Sequence, residues 1–256
     1  MEVFSSLRAW VKKRFGDIAN RSGYTIIPNW QKDTWQSALH TQKLFRLLSI
    51  DYVIDVGANR GQYRDFLRQE VGYKGHILSF EPIPELTDDL KTRARLDGAW
   101  TVQACALGEC AGSAIFNIMN NTEFSSFNVP LRDSTSLFDG ANEVSRRITV
   151  KVKTLHDIIR NIQSKGIIHN IYLKLDTQGH DLNVIKGGVD VLHEIKALQT
   201  EASMRPIYEG MPRYDEVFRF LEECEFVVSG IFPSNSGHFP ILIEFDCFLV
   251  NKINLP

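Results

Sequence analysis

Five short apolar runs recur along the chain: Tyr52-Val53-Ile54-Asp55-Val56, His76-Ile77-Leu78-Ser79-Phe80, Trp100-Thr101-Val102-Gln103-Ala104, Ile171-Tyr172-Leu173-Lys174-Leu175 and Ala197-Leu198-Gln199-Thr200. Each has the length of a strand, and the first two end at glycine or proline. The amphipathic stretches 62–71, 85–96, 181–195 and 214–224 read as helices that cross over a parallel sheet. Two further runs, 226–230 and 241–250, are separated only by the Pro/Gly/Asn-rich segment 233–240, which leaves no room for a helix. The last strand is therefore expected to run antiparallel. The pattern is that of a doubly wound α/β fold.

The rhythm breaks between Glu109 and Lys153. Residues 113–119 and 147–152 read as strands, but 120–145 is polar, aperiodic and long for a plain connection, which suggests an ordered functional loop or a mobile lid. Its Phe124, Phe127 and Phe138 either stack on a ligand or anchor the loop to the core. Ahead of the first strand, Val3, Phe4, Leu7, Trp10, Val11, Phe15 and Ile18 recur at three- and four-residue steps among Arg8, Lys12, Lys13 and Arg14. This predicts an amphipathic helix that packs on its own domain, on a second subunit or on an anionic membrane surface. The expected organisation is a helical extension over 1–45 and one domain over 46–256, with an insertion at about 109–153.

At 256 residues, 43% of them hydrophobic, the chain supports one sizeable core. A net charge of −2 argues against a broad nucleic-acid surface. No apolar run has the length of a membrane span and the first residues lack the centre of a secretory signal, so the cytoplasm is the expected compartment. Cys105, Cys110, Cys224 and Cys247 form no CxxC pair, and neither a disulfide framework nor a structural zinc is implied.

The chemistry is concentrated where the first strand turns into its helix, at Asp55-Val56-Gly57-Ala58-Asn59-Arg60-Gly61. Ligands of open α/β sheets bind at the carboxyl ends of the strands. The turn lacks the third glycine of a dinucleotide fingerprint, and Asp55 would repel a diphosphate, whereas S-adenosylmethionine carries cationic groups and no phosphate. Glu81, at the end of the second run, can accept both ribose hydroxyls of a nucleoside. A second cluster, Asp176, His180, Asp181 and Glu201, ends the fourth and fifth runs. There a base can take the proton of an acceptor hydroxyl, with His180 the best matched in its ordinary pKa. Structural duties are the competing explanation: Asp176 bonding loop amides, Asp181 capping a helix, Glu201 pairing with Arg205. No dense metal-ligand motif is present.

Taken in order, Asp55 to Gly61, Phe80-Glu81-Pro82, Ala106-Leu107-Gly108, Thr154-Leu155, Leu173-Lys174-Leu175-Asp176-Thr177-Gln178-Gly179-His180-Asp181 and Val184-Ile185-Lys186-Gly187 resemble the FkbM-type S-adenosylmethionine-dependent methyltransferases. The resemblance implies a Rossmann-like class I methyltransferase fold, with a mostly parallel seven-stranded sheet, an antiparallel last strand and helices on both faces. It also implies methyl transfer to a hydroxyl of a sugar, glycan or small secondary metabolite. Carried over by position, Asp55, Gly57, Asn59 and Gly61 surround the methionine part of the cofactor and Glu81 the ribose. Cys105 and Ala106 meet the adenine, and Ala58, Tyr63 and Pro82 complete the cofactor set. Asp176, His180, Asp181 and Glu201 face the acceptor. Ala104 stands where the family often has Asn, and His156 where it usually has Asp, so His156 receives no role. A nucleotide-binding oxidoreductase and a non-catalytic cofactor-binding module are the alternatives.

Overall fold

The computed structural model describes residues 21–166, 169–234 and 240–255, together with Arg14 and Ala19. In chain order its strands are β1 (Tyr52–Val56), β2 (His76–Phe80), β3 (Trp100–Gln103), β4 (Ala106–Leu107), β5 (Gly112–Met119), β6 (Val144–Lys153), β7 (Ile171–Leu175), β8 (Ile195–Ser203), β9 (Phe226–Pro233) and β10 (Glu244–Asn251). The helices are α1 (Trp35–Leu47), α2 (Gln62–Phe66), α3 (Pro84–Asp97), α4 (Arg132–Leu137), α5 (Leu155–Gln163), α6 (Asp181–Lys186) and α7 (Tyr214–Glu223). Seven strands form one sheet in the order β3-β2-β1-β7-β8-β10-β9. Strands β3, β2, β1, β7 and β8 are parallel, and β10 is antiparallel to both neighbours. This is the sheet that the resemblance implied, with the antiparallel strand where the missing helix predicted it.

The central strands are apolar throughout because both faces are covered. Ile54, Val56, Leu173 and Leu175 join Ile158, Ile159 and Ile162 of α5, Val184 and Ile185 of α6, and Val217 and Leu221 of α7 in one core. Val53, Ile77, Tyr172 and Phe248 point the other way, against Ala38, Leu44 and Phe45 of α1 and Leu90 and Ala94 of α3. Each aliphatic side chain so buried contributes about 1.5–3 kcal/mol. Thr154 caps α5 by accepting from the Asp157 amide (3.1 Å), while Leu155 enters the first core.

The structure adds four details. Helix α1, which begins within the expected extension, packs on the main sheet, with Phe45 edge-on against Tyr73 and Tyr172 and His40 against Phe248. The stretch 181–195 is two pieces, α6 and a 3-10 turn over Val189–Glu194. Between them Gly187 lies so near the Gly108 carbonyl that a Cβ would stand 2.2 Å from it. The stretch 62–71 continues beyond α2 as a π turn over Leu67–Val71. Finally, β5 and β6 pair with β4 in a separate sheet, β4-β6-β5. The stripe from Val3 to Ile18 lies outside the described residues. Among those described, no helix is long and apolar enough to cross a membrane.

The polar stretch 120–145 is ordered. Its backbone pairs at Asn117 and Ser126, the Ser126 hydroxyl donates to the Gln178 carbonyl (2.7 Å), and Asn128 donates to the Gly179 carbonyl (3.0 Å). Phe138 packs on Phe124 beside Tyr208, Met211 and Ile243. The insertion is thereby fastened to the turn that follows β7.

Candidate active site

A cavity of about 710 Å³ opens at the carboxyl ends of β1, β2, β7 and β8. Because β10 runs the other way, its first residues reach the same edge: Asp246 pairs with Glu201, and Glu244 with Ser203. The insertion closes one side with Thr122, Phe124 and Phe127.

One half of the cavity is built by the β1 turn and the end of β2. Gly57 has φ 85°, and a Cβ there would stand 1.9 Å from the Asp176 carbonyl, so only glycine lets the β1 and β7 turns meet. Asn59 is also left-handed, φ 44°. Its amide donates to Glu81 Oε2 (2.8 Å), and its side chain accepts from the Thr122 hydroxyl (3.2 Å). The Ile83 amide donates to Glu81 Oε1 (2.8 Å). Glu81 is 4% exposed, and burial pushes its carboxyl up to about 7 against those two bonds. Ala58, Pro82, Ile83, Ala106 and Phe116 complete an apolar slot beside it.

Three residues expected to touch a cofactor here do not line the cavity. Asp55 is fully buried beneath the turn, where it accepts from the Ser79 hydroxyl (2.8 Å), itself bonded by Trp100 Nε1 (2.9 Å). Burial raises its proton affinity, opposed by Lys174 at 3.5 Å. Gly61 caps α2 and faces Leu90, Arg93 and Trp100. Cys105 is buried in the core under α5, leaving Ala106 at the cavity wall. Tyr63 does line the cavity, and its ring lies under the Lys174 ammonium at 5.1 Å.

The other half is acidic. Asp176, Glu201, Glu244 and Asp246 line it with Gln178 and Gln199. Gln178, held at φ 54°, donates from one amide nitrogen to Asp176 Oδ1 (3.1 Å) and Glu201 Oε2 (3.0 Å). Lys174 pairs with Asp176 (3.3 Å) as well as with Asp55, and these carboxylates hold its proton affinity above the ordinary value although burial opposes them. Burial raises Glu201 well above the carboxylate range, reinforced by Glu244, Asp176 and Asp246. Glu244 moves the same way, against a bond from the Ser203 hydroxyl (3.0 Å). Burial brings Asp246 up to about 6 although Gln199 donates to it (3.0 Å).

Two residues of the expected acceptor cluster are elsewhere. The His180 ring is stacked at a tilt on Phe127 (4.7 Å), close to Gly108, outside the cavity lining. Burial lowers its pKa to about 4, so the ring is neutral at pH 7. Asp181 is buried, and it accepts from the Thr177 amide (2.7 Å) and hydroxyl, the Thr200 hydroxyl (2.7 Å) and the Glu201 amide (3.2 Å). It ties the β7 turn to β8. Glu201 binds Gln178 rather than pairing with Arg205. Lys174, Gln178, Gln199, Glu244 and Asp246 were missed by the sequence reading. A signal existed for the last two, since 244 and 246 are the polar positions of an alternating strand whose odd members, Phe245, Cys247 and Leu249, enter the core.

The donor set fits S-adenosylmethionine. Glu81 retains lone pairs for two adjacent hydroxyls, the slot at Ile83, Ala106 and Phe116 takes a flat apolar ring, and Asp176 at the Gly57 turn suits an ammonium.

A family model described as the methyltransferase FkbM domain matches residues 55–228. No curated protein sequence matches the chain. Among solved structures, a methyltransferase FkbM from Methylobacillus flagellatus KT is 16% identical with a TM-score of 0.48, over 78% of this chain and 43% of that one. The chain thus spans less than half the length of that protein. A 1,6-didemethyltoxoflavin-N1-methyltransferase from Burkholderia thailandensis is 10% identical with a TM-score of 0.44, covering 97% of this chain and 90% of its own. An rRNA methylase from Streptococcus thermophilus is 11% identical with a TM-score of 0.43, covering 89% and 99%. The family match spans the Asp55 turn, the Glu81 cleft and the β7 turn, and by it the chain belongs to the FkbM family of S-adenosylmethionine-dependent methyltransferases.

Proposed function

We propose that the chain transfers the methyl group to a hydroxyl of a sugar, a glycan or a small secondary metabolite. The supporting observation is the carboxylate edge at the far half of the cavity. Glu201, Glu244 and Asp246 accept hydrogen bonds, and burial raises the proton affinity of each above that of an ordinary carboxylate, bringing Glu244 up to about 7 and Asp246 up to about 6. An alcohol is un-ionised at neutral pH, and a base matched to that pH that removes its proton during transfer contributes roughly 10²–10⁴ in rate.

In this reading Glu81 holds the ribose hydroxyls, Pro82, Ile83 and Ala106 flank the adenine, and the turn Gly57-Ala58-Asn59 with Asp176 holds the methionine part. S-adenosylmethionine, when bound, supplies an electrophilic methyl group. The chain's own contribution is orientation and proton removal. Glu201, steadied by Gln178, is the assigned base in its ionised form, which the positive charge of a bound cofactor would favour. Phe124 and Phe127 exclude water from the side covered by the insertion.

The test is incubation with methyl-labelled S-adenosylmethionine and fractionated glycans and metabolites. A product heavier by one methylene, with the label on oxygen, supports the reading; label only on nitrogen or carbon overturns it.

A further inference from the structure

Tyr208 lies in the segment between β8 and α7, is 1% exposed and does not line the cavity. That segment is stitched to the insertion: the Leu131 amide donates to the Ile207 carbonyl (2.9 Å) and the Glu209 amide to the Val129 carbonyl (2.8 Å). The Tyr208 ring packs in a cluster with Met119, Met211 and Ile243, which gives its hydroxyl a fixed direction. The single hydroxyl proton is shared between two acceptors, the Phe124 carbonyl (2.7 Å) on the insertion and Gln178 Oε1 (3.0 Å) on the β7 turn.

This contact gives the Gln178 amide a direction, because an amide accepts at its oxygen and donates at its nitrogen. With the oxygen toward Tyr208, the nitrogen faces Asp176 Oδ1 (3.1 Å) and Glu201 Oε2 (3.0 Å). Among the described residues no ion pair reaches Glu201, and the side chain that donates to its carboxylate is Gln178.

We propose that Tyr208 is a positioning residue for the methyl transfer: its hydroxyl holds the Gln178 amide nitrogen toward Glu201, so that the base keeps its donor. That Glu201 is the base rests on the function proposed above. Glu201 is faced by Asp176 on β7, Asp181 on α6, and Glu244 and Asp246 on β10, while Lys174 on β7 is engaged by Asp55 and Asp176. Burial and those acids favour a protonated Glu201, and the Gln178 nitrogen opposes them because a donor stabilises the ionised carboxylate. A protonated Glu201 is itself a donor, best met by a reversed amide with its oxygen toward the acid. The Tyr208 hydroxyl disfavours that reversal, since it would lose one of its two acceptors.

Carbon-13 NMR of the glutamate side-chain carboxyls, titrated with pH in the full chain with S-adenosylhomocysteine bound, tests this without an acceptor. The Glu201 signal is identified by its absence in Glu201→Gln. Tyr208→Phe is expected to move the Glu201 midpoint up by about 0.5 or more on the pH scale, with S-adenosylhomocysteine affinity kept within about threefold. In a Gln178→Leu background the same substitution is expected to move nothing further. Replacement of Tyr208 by 3-fluorotyrosine, nearly the same shape and a stronger donor, moves the midpoint down and decides the matter alone if Tyr208→Phe does not fold. A midpoint unmoved or lowered in Tyr208→Phe, a shift that persists without Gln178, or no downward movement with 3-fluorotyrosine overturns the proposal. The two readings fail separately: label on nitrogen or carbon sinks hydroxyl transfer and leaves the link from Tyr208 to Glu201 standing, whereas label on oxygen with an unmoved midpoint does the reverse.

Discussion

Asp246 on β10 stands directly across from Glu201 on β8, two carboxylates facing each other on one edge of the sheet. Burial favours the protonated form of Asp246, from an ordinary 3.8 to about 6. The folded chain therefore holds protons that the unfolded chain gives up, and this contribution to stability is complete below the unfolded value and lost as pH rises through the folded one. Asp246→Asn is expected to raise the melting temperature above about pH 6, corresponding to about 1–2 kcal/mol, and to have little effect at pH 4. Thermal melts across that range check it.

His180 and Glu201 separate the two assignments of the base. His180→Ala leaves turnover within about threefold, because the ring packs on Phe127 outside the cavity. Glu201→Gln lowers single-turnover rates by roughly 10²-fold or more while S-adenosylhomocysteine still binds. Equal effects of the two substitutions would contradict the assignment.

Glu81 joins two amides and the cavity. Glu81→Ala is expected to weaken S-adenosylhomocysteine binding by about 1.5–3 kcal/mol, the scale of a charge-assisted hydrogen bond, when measured by calorimetry.

Asp181 receives donors from Thr177, Thr200 and Glu201. Asp181→Ala leaves those buried donors without a partner and should lower stability by about 3 kcal/mol or more. Denaturant titration reads the loss, and retention of wild-type stability would show that the carboxylate does not hold the turn to β8.

Gly57→Ala places a methyl group against the Asp176 carbonyl at a backbone angle alanine resists. Loss of S-adenosylhomocysteine binding and a lower melting temperature are expected together, since separating the two turns disturbs both the cleft and the sheet edge.

The sequence by itself determined the parallel strands, the antiparallel end, the turn at Gly57 and the carboxylate at Glu81. Each is a local matter: strand-length apolar runs record burial on two faces, and a glycine or acid at a strand end keeps its position whatever surrounds it. The tertiary structure decided which acids share the cavity. Asp181 and His180 belong to the same motif as Asp176, yet the helix that starts at Asp181 carries one into a bonded core and the other against Phe127. Glu244 and Asp246, more than 60 positions beyond Asp176 in the chain, arrive beside it because β10 reverses direction. Charge and hydrogen bonding depend on distance in space, and a strand pairing between distant segments sets that distance where sequence order alone does not.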